Sequence, residues 1–376
     1  MSSDVGPPPP PSPGTAVFDE NTVEDVIDGL KVLHEKRKPI YKDSYKLFTP
    51  KDFGESDQFK VKRSNGDILK IKDFAPRVFH QIRLNFGVNE DAYLNSFKDR
   101  NNLTPTKGQG KSGAFFIFTN DKQFILKTAT GEERDFLMSI LENYWQHLQK
   151  YPNTLLPRYY GVYSMKHEGI GGVTRFIVMN NLFNTPFELV EKYDLKGSFM
   201  GRYVSDKKRK PGAILKDLDI EHDKRKLYFP KHLRIEFIEQ LKKDSNFLAS
   251  FKVMDYSLLL GIAYETPENK EKNEAELKKL KENPFVIPEL VQNKFQQYYN
   301  GAKVTRPDGG TEVYYVGIID ILIQYVAKKK LEHLLKTVAY PGEEVSVVNP
   351  KYYSDRFFDF IKNLVYVPEE EENTQQ

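Results

Sequence analysis

Three side chains in this 376-residue chain have the types and settings that phosphoryl transfer needs. Lys127 lies in the run Phe124-Ile125-Leu126-Lys127-Thr128, so an apolar strand presents its ammonium. A buried ammonium needs an anionic partner, which a nucleotide phosphate and a carboxylate of the next segment (Glu132, Glu133 or Asp135) would supply. Asp255 and Asp320 stand where apolar segments end. Carboxylates so held suit Mg²⁺, which is bound through carboxylate and phosphate oxygens. One of them near a hydroxyl can also orient it and take its proton. Upstream, Gly108-Gln109-Gly110-Lys111-Ser112-Gly113 offers backbone N–H groups that approach phosphate with no side chain in the way. Taken singly, Lys127 reads as a hairpin-edge lysine and each aspartate as a cap or turn residue. Taken together they form a minimal set for transfer from ATP.

Other chemistries lack their residues. Gly110-Lys111-Ser112 is not a Walker A loop, because the first glycine of that pattern falls on Pro105. The seven histidines show no zinc-ligand spacing, and the absence of cysteine excludes a disulfide framework, a zinc ribbon and a thiol nucleophile. No His-Arg-Asp triplet occurs, and the Asp-Phe-Gly triplet at Asp52-Phe53-Gly54 precedes the glycine loop and Lys127 instead of following a catalytic loop, which argues against the usual protein-kinase substrate.

These residues need elements to hold them. Helical spacing predicts helices over 20–38, 76–86, 132–150, 231–251 and 353–364, and Trp145 packs within the third of these. Strands are expected at 114–118 and 123–128 as a hairpin, at 158–164, at 173–180, and from Val313 to Ile319. Tyr193 to Phe229 reads as basic and irregular, and Thr266 to Asn283 as a surface insertion. The length exceeds one ordinary core, so two lobes are expected. The domains read as a disordered Pro-rich leader (1–16), an N-lobe with the glycine loop and ATP lysine (17–183), a C-lobe with catalytic and activation segments (184–366), and an acidic disordered tail (367–376).

Charge points to a surface partner. The net charge is only +3, yet Lys192 to Lys243 holds 15 Lys/Arg against 8 Asp/Glu, including Lys207-Lys208-Arg209-Lys210 and Lys224-Arg225-Lys226. A second run, Lys328-Lys329-Lys330, lies far off in the chain. Clustered cations suit a polyanion, either an anionic membrane face or nucleic acid. No apolar stretch reaches membrane-spanning length and the chain opens without a signal-peptide pattern, so a cytoplasmic or peripheral protein is expected.

With these residues in view, the chain resembles the phosphatidylinositol phosphate kinase family. The resemblance rests on Gly110-Lys111-Ser112-Gly113, Phe124 to Thr128, Asn153-Thr154-Leu155-Leu156-Pro157, Tyr193-Asp194-Leu195-Lys196-Gly197-Ser198, Met254 to Leu259 and Gly317-Ile318-Ile319-Asp320. These segments follow family order over roughly residues 20–366. The resemblance implies an α+β, two-lobed kinase-like fold, with an antiparallel sheet in the N-lobe and a smaller mixed C-lobe. It implies ATP as co-substrate with Mg²⁺, a phosphoinositide acceptor, a flat cationic surface on an anionic membrane, and pairing as a homodimer, with no nucleic acid.

By matched position, the resemblance gives Lys127 the ATP phosphates, and the loop Gly110, Lys111, Ser112 and Gly113 covers them. The segment Met179, Asn180, Asn181 and Leu182 lies at the hinge beside adenine. Asp255 is the catalytic carboxylate, Asp320 holds metal with Asp255 beside it, and Lys196 lies in the substrate and phosphate region. Arg202, Lys328, Lys329, Lys330 and Glu332 face substrate or membrane. Glu332 before His333, the Met-Asn-Asn hinge and Val345-Ser346-Val347 resemble the phosphatidylinositol 4-phosphate 5-kinases. Lys328-Lys329-Lys330 and Val348-Asn349-Pro350 echo the sister 5-phosphate 4-kinases. The expected activity is therefore transfer of the ATP γ-phosphate to the inositol 5-hydroxyl of phosphatidylinositol 4-phosphate, at the cytoplasmic face of the plasma membrane. The alternatives are the 4-kinase and a catalytically weak phosphoinositide-binding scaffold.

Overall fold

Period-two patterning builds the first half of the chain. The computed structural model describes residues 20–37, 48–62, 66–88, 90–97, 106–107, 114–167, 172–185, 187–266, 301–325 and 349–367, with isolated positions between 269 and 278. In chain order, helix α1 (Glu20–Arg37) and the short α2 (Pro50–Gly54) precede strands β1 (Ser56–Lys62) and β2 (Ile68–Phe74). Helices α3 (Pro76–Asn85) and α4 (Glu90–Asn95) follow, then β3 (Thr106–Lys107), β4 (Phe115–Phe118) and β5 (Phe124–Thr128). The long α5 (Gly131–Lys150) leads to β6 (Tyr159–His167) and β7 (Thr174–Asn180). These strands form one sheet in the order β1-β2-β6-β7-β5-β4-β3, with antiparallel pairing of β1 with β2, β2 with β6, β6 with β7, and β4 with both β3 and β5. On β2, Leu69 and Ile71 point inward while Lys70 and Lys72 are only half-buried, the alternation of a sheet with one covered face. Helix α1 covers β1 and β2 and buries Val26, Ile27, Leu30 and Leu33.

The second half carries β8 (Glu191–Leu195), β9 (Ile214–Leu215), α6 (Asp217–His222), β10 (Leu227–Tyr228) and α7 (Lys231–Ser250). It ends with β11 (Ser257–Glu265), β12 (Ala302–Thr305), β13 (Thr311–Ile319), α8 (Pro350–Leu364) and β14 (Val365–Tyr366). Its five-stranded sheet runs β12-β13-β11-β8-β9, antiparallel except for the parallel β8–β9 pair. A separate parallel pair joins β10 and β14. β13 is buried without a break from Glu312 to Ile318, as befits a strand covered on both faces. Helices α7 and α8 pack together, with Ser354 Oγ donating to Ser245 O at 3.0 Å.

The chain divides into two compact units: Met1–Gln81, Glu90–Arg134 and Tyr159–Met179, and then Ile82–Asn89, Asp135–Arg158 and Asn180–Gln376. The expected α+β fold, with an antiparallel sheet and a smaller mixed one, is what the structure contains. One expectation is corrected. Tyr193 to Phe229 is not irregular: it contains β8, β9, α6 and β10, because Asp217 and Asp219 are fully buried and organise the loop before them. The insertion at 266–283 falls largely outside the described residues, as does the Pro-rich leader. No helix among the described residues is long and apolar enough to cross a membrane.

Candidate active site

Strand β5 is short and apolar, with Phe124 and Leu126 buried, and it carries Lys127 near its end. The Lys127 side chain is 11 % exposed, and its Nζ lies 3.4 Å from Glu133 Oε1. Of the three carboxylates the sequence offered, Glu133 lies within ion-pair reach of Lys127. Local chemistry explains the choice. Thr130 caps α5: its Oγ1 accepts the Glu133 N–H at 3.1 Å, and Glu133 Oε2 accepts the Thr130 N–H at 2.8 Å. That reciprocal box fixes Glu133 on the first helical turn, leaving Oε1 for the lysine.

In the second unit, three residues of the sequence set share one end of the five-stranded sheet. Lys196 follows β8, Asp255 precedes β11 by two residues, and Asp320 follows β13. The register aligns them: Leu195 pairs with Leu258, and Ser257 pairs with Ile319. Beyond Asp255, the Met254 N–H donates to Ile323 O at 2.9 Å, and Val253 bridges to Gln324. Asp255 and Asp320 therefore sit in facing loops closed by backbone pairing on both sides.

Both aspartates adopt left-handed backbone, with φ of 63° at Asp255 and 61° at Asp320. Asp is among the few non-glycine residues that tolerate this region. Two such residues in facing loops mark a place where backbone geometry is dictated by something other than local preference. Lys196 Nζ donates to Asp255 O and to Asp255 Oδ1, each at 2.6 Å. The lysine side chain is 14 % exposed and the aspartate 42 %. Asp255 Oδ2 accepts no hydrogen bond among the described residues, so the carboxylate is anchored through one oxygen and open through the other. Beneath this loop the Tyr353 hydroxyl, fully buried, donates to Tyr256 O. Burial first, and then the Asp255 charge, push its ionisation well above the ordinary phenol value.

The turn that carries Lys196 has its own support. Gly197 takes φ +64°, and a Cβ there would meet Arg356 O at 3.0 Å and Phe357 Cα at 3.1 Å. Only glycine fits both the conformation and the approach. Asp217 Oδ1 accepts the N–H groups of Lys196 at 2.8 Å and Gly197 at 2.7 Å. Its Oδ2 accepts from Arg202 Nε at 2.7 Å, and Arg202 Nη2 reaches Asp194 Oδ1 at 2.8 Å. Arg202, which the resemblance assigned to substrate or membrane, is 9 % exposed and engaged with these two internal carboxylates. Burial opposes its charge, but Asp194 and Asp217 outweigh that and hold the guanidinium protonated beyond its usual range.

The strand bearing Asp320 is tied from behind. Asp244 on α7 is completely buried. Its Oδ1 accepts from His147 Nε2, Thr154 Oγ1 and Gln240 Nε2 at 2.7, 2.7 and 2.9 Å, and its Oδ2 accepts the Leu155 N–H at 2.7 Å. Leu155 O in turn accepts the Ile318 N–H at 2.7 Å, two residues before Asp320. The Asn-Thr-Leu-Leu-Pro segment thus has a physical task, linking α7 to β13. Sequence reading missed Asp217, Asp244 and Tyr353, whose surroundings in sequence (a basic run, a helix face, an aromatic pair) carry no sign of what they touch.

The remaining site residues are placed as follows. Met179 and Asn180 end β7; the Asn180 N–H donates to Arg158 O at 3.1 Å, and Asn180 Oδ1 accepts the Arg158 N–H at 2.9 Å. Asn181 Oδ1 accepts the Phe183 N–H at 3.1 Å, and Leu182 is buried. Gly110, Lys111, Ser112, Gly113, Lys328, Lys329, Lys330 and Glu332 lie outside the described residues. In the basic runs, Lys207 and Lys208 are exposed on a 3₁₀ turn. In Lys224-Arg225-Lys226, Arg225 turns inward to Glu191 and Glu312, while Lys224 and Lys226 are exposed.

No group of three His, Cys, Asp or Glu side chains capable of holding a metal occurs among the described residues. Magnesium does not require one, since it is commonly held by one or two carboxylates with phosphate oxygens and water. Asp320 and the open oxygen of Asp255 would offer a donor set of that kind.

Comparison with known proteins agrees with this layout. A family model described as phosphatidylinositol-4-phosphate 5-kinase matches residues 97–364. Human phosphatidylinositol 5-phosphate 4-kinase type-2 alpha is 35% identical over 351 residues, covering 85% of each chain. Mouse phosphatidylinositol 4-phosphate 5-kinase type-1 beta is 36% identical over 319 residues, covering 79% of this chain and 59% of the relative. A probable phosphatidylinositol phosphate kinase of Dictyostelium discoideum is 34% identical over 345 residues, and the match spans 48% of that relative's length. The two subgroups match about equally, so similarity alone does not favour the 5-kinases.

Proposed function

The chain belongs to the phosphatidylinositol phosphate kinase family, and from that premise we propose that it transfers the γ-phosphate of ATP to the inositol ring of a membrane phosphoinositide. The observation that carries this reading is the joint position of Lys196, Asp255 and Asp320 at one sheet end, with Lys196 bound to one oxygen of Asp255. Asp255 orients the inositol hydroxyl through its open oxygen and accepts the hydroxyl proton as the new P–O bond forms. The bond from the γ-phosphorus to the β,γ-bridging oxygen breaks, and ADP leaves with that electron pair. Lys196 fixes the Asp255 rotamer and offsets its charge. Asp320, with Asp255 beside it, would hold Mg²⁺, which when bound neutralises charge on the phosphate oxygens. Lys127, steadied by Glu133, would hold the ATP phosphates, and Met179 to Leu182 would border adenine.

Regiochemistry is a finer proposal. The sequence features around Glu332 and Val345-Ser346-Val347 support the 5-hydroxyl of phosphatidylinositol 4-phosphate as acceptor. The equal identity to a 5-phosphate 4-kinase with fuller coverage supports the alternative. Both reactions give the same bisphosphate, so only the substrate distinguishes them. We propose that the chain acts peripherally on an anionic cytoplasmic leaflet, with Lys328, Lys329 and Lys330 each contributing about 1 kcal/mol of surface attraction, and that it pairs as a homodimer.

The test is to incubate the protein with Mg-ATP and, separately, phosphatidylinositol 3-, 4- and 5-phosphate in anionic vesicles, then identify the products. Turnover of the 4-phosphate lipid, abolished by Asp320→Asn, is the expected result. Turnover of the 5-phosphate lipid alone selects the 4-kinase, and binding without turnover selects a scaffold.

A further inference from the structure

The loop that follows Lys196 has a distinctive set of anchors. Asp217 and Asp219 open the short α6, and both are fully buried. Asp217 Oδ1 takes the N–H groups of Lys196 and Gly197, with the Ser198 N–H at 3.4 Å. Asp219 Oδ2 takes the Val204 N–H at 3.1 Å and the Lys216 N–H at 2.9 Å. Between them the Leu218 N–H donates to Arg202 O at 3.0 Å. Arg202 closes the ring through Nε to Asp217 and Nη2 to Asp194, the residue two before Lys196. One carboxylate thus receives the backbone on both sides of Lys196 Cα, and its charge is balanced by an arginine tied to the same strand end.

We propose that Asp217, with Arg202 as its counter-charge, is a positioning residue that sets the Lys196 ammonium against Asp255. A buried carboxylate accepting several N–H groups holds a turn far more firmly than neutral acceptors do, because each bond is charge-assisted. The lysine side chain then leaves a fixed Cα and reaches Asp255 without a search. Arg202 serves inside the protein, which explains why a cation in a segment expected at the membrane is buried. Asp217 touches neither Asp255 nor Asp320 and acts only through Lys196. The kinetic part of this inference rests on the lipid-kinase reading, whereas the placement of Lys196 does not.

The experiment compares Asp217→Asn with the unaltered full chain in three measurements. Trace acetylation read by mass spectrometry reports the reactivity of Lys196 relative to exposed Lys207 and Lys208. Hydrogen exchange reports the amides of 196–198. Steady-state kinetics on phosphoinositide vesicles reports kcat and KM for ATP. The expected outcome is at least a fivefold rise in relative Lys196 reactivity, at least tenfold faster exchange of the turn, and at least a tenfold fall in kcat with KM for ATP unchanged. Unchanged Lys196 reactivity in a folded Asp217→Asn overturns the proposal, as does an unchanged kcat in an active protein. Should Asp217→Asn fail to fold, Arg202→Lys is read by the same labelling, with a smaller rise expected and no rise overturning the idea. If the unaltered chain phosphorylates no phosphoinositide, the lipid-kinase reading fails while labelling and exchange still decide the placement of Lys196.

Discussion

The two ends of the β8–β11–β13 sheet handle charge in opposite ways. At the end away from Lys196, Arg225 is held between Glu191 and Glu312, with Nε 3.1 Å from Glu191 Oε2 and Nη2 2.8 Å from Glu312 Oε1. Arg306 adds a further contact to Glu312 at 3.3 Å. Three tyrosines complete the set: Tyr193 donates to Glu191 at 2.7 Å, Tyr314 to Glu312 at 2.6 Å, and Tyr264 to the other oxygen of Glu191. Each of these carboxylates has internal donors on both oxygens. At the other end Asp255 has a donor on one oxygen only, is well exposed, and sits with Asp320 in strained backbone. A closed network rigidifies a sheet, whereas an open one keeps acceptor capacity for a ligand. The same strands thus carry one end whose carboxylates are fully engaged and another whose Asp255 keeps an oxygen open.

The comparison is most exposed to failure at Asp320. Asp320→Asn should lower kcat by on the order of 10³-fold or more, with melting temperature almost unchanged by calorimetry. A comparable loss of stability would mean that this end is structural too. The complementary change is Glu312→Ala, which leaves Arg225 and Tyr314 buried with a partner missing. Chemical denaturation should show a loss of about 3–5 kcal/mol, while kcat per folded molecule stays within about twofold of the unaltered chain by the reasoning that distant sites add independently. A large fall in kcat there would erase the distinction between the ends.

A smaller effect sharpens the picture of the fully engaged end. Burial, followed by the hydrogen bond to Glu191, pushes the Tyr264 phenol from 10.0 up to about 12. A raised folded value means its contribution is complete below pH 10 and disappears as pH climbs through about 12. Tyr264→Phe should therefore cost about 1 kcal/mol at neutral pH. The gap to the unaltered chain should close on alkaline titration, as followed by denaturant midpoints. A gap that persists above pH 12 would show that the hydroxyl bond is not its source. The smallest expected effect lies away from both ends. Asp52 caps α2 through Thr49 and pairs with Arg77 at 3.1 Å, and the Thr49 backbone N–H, ahead of Arg77, holds its pKa below the ordinary carboxylate range. Asp52→Ala should cost about 1 kcal/mol at pH 7. Because the folded value is depressed, that difference fades as pH falls below about 4, and activity per folded molecule is unaffected.

Much of this was legible from residue types alone. The apolar run around Lys127 and the turn 119–122 define the hairpin, and the helices expected from 76, 132 and 231 follow from periodicity. Strands β1 and β2 were passed over, although Lys60, Lys62, Lys70 and Lys72 alternate with Phe59, Val61, Leu69 and Ile71 in the period-two pattern that could have found them. The stretch 193–229 misled for a related reason. Its cations dominate composition, yet Arg202 and Arg225 are internal counter-charges whose carboxylate partners lie 8 to 87 residues away in the chain.

The sequence by itself determined the chemical inventory: two aspartates closing apolar strands, a lysine within one, a glycine loop, and motifs in the order of a lipid-kinase family. Local forces suffice for that, because strand ends and caps are set by neighbours within a few residues. Only the tertiary structure decided which groups meet. It chose Glu133 for Lys127, joined Lys196 to Asp255, and gave Asp217 and Arg202 to the turn between them. Such pairings depend on strand register and on which charges are buried together, and the energy of a buried ion pair belongs to the assembled fold, not to either residue.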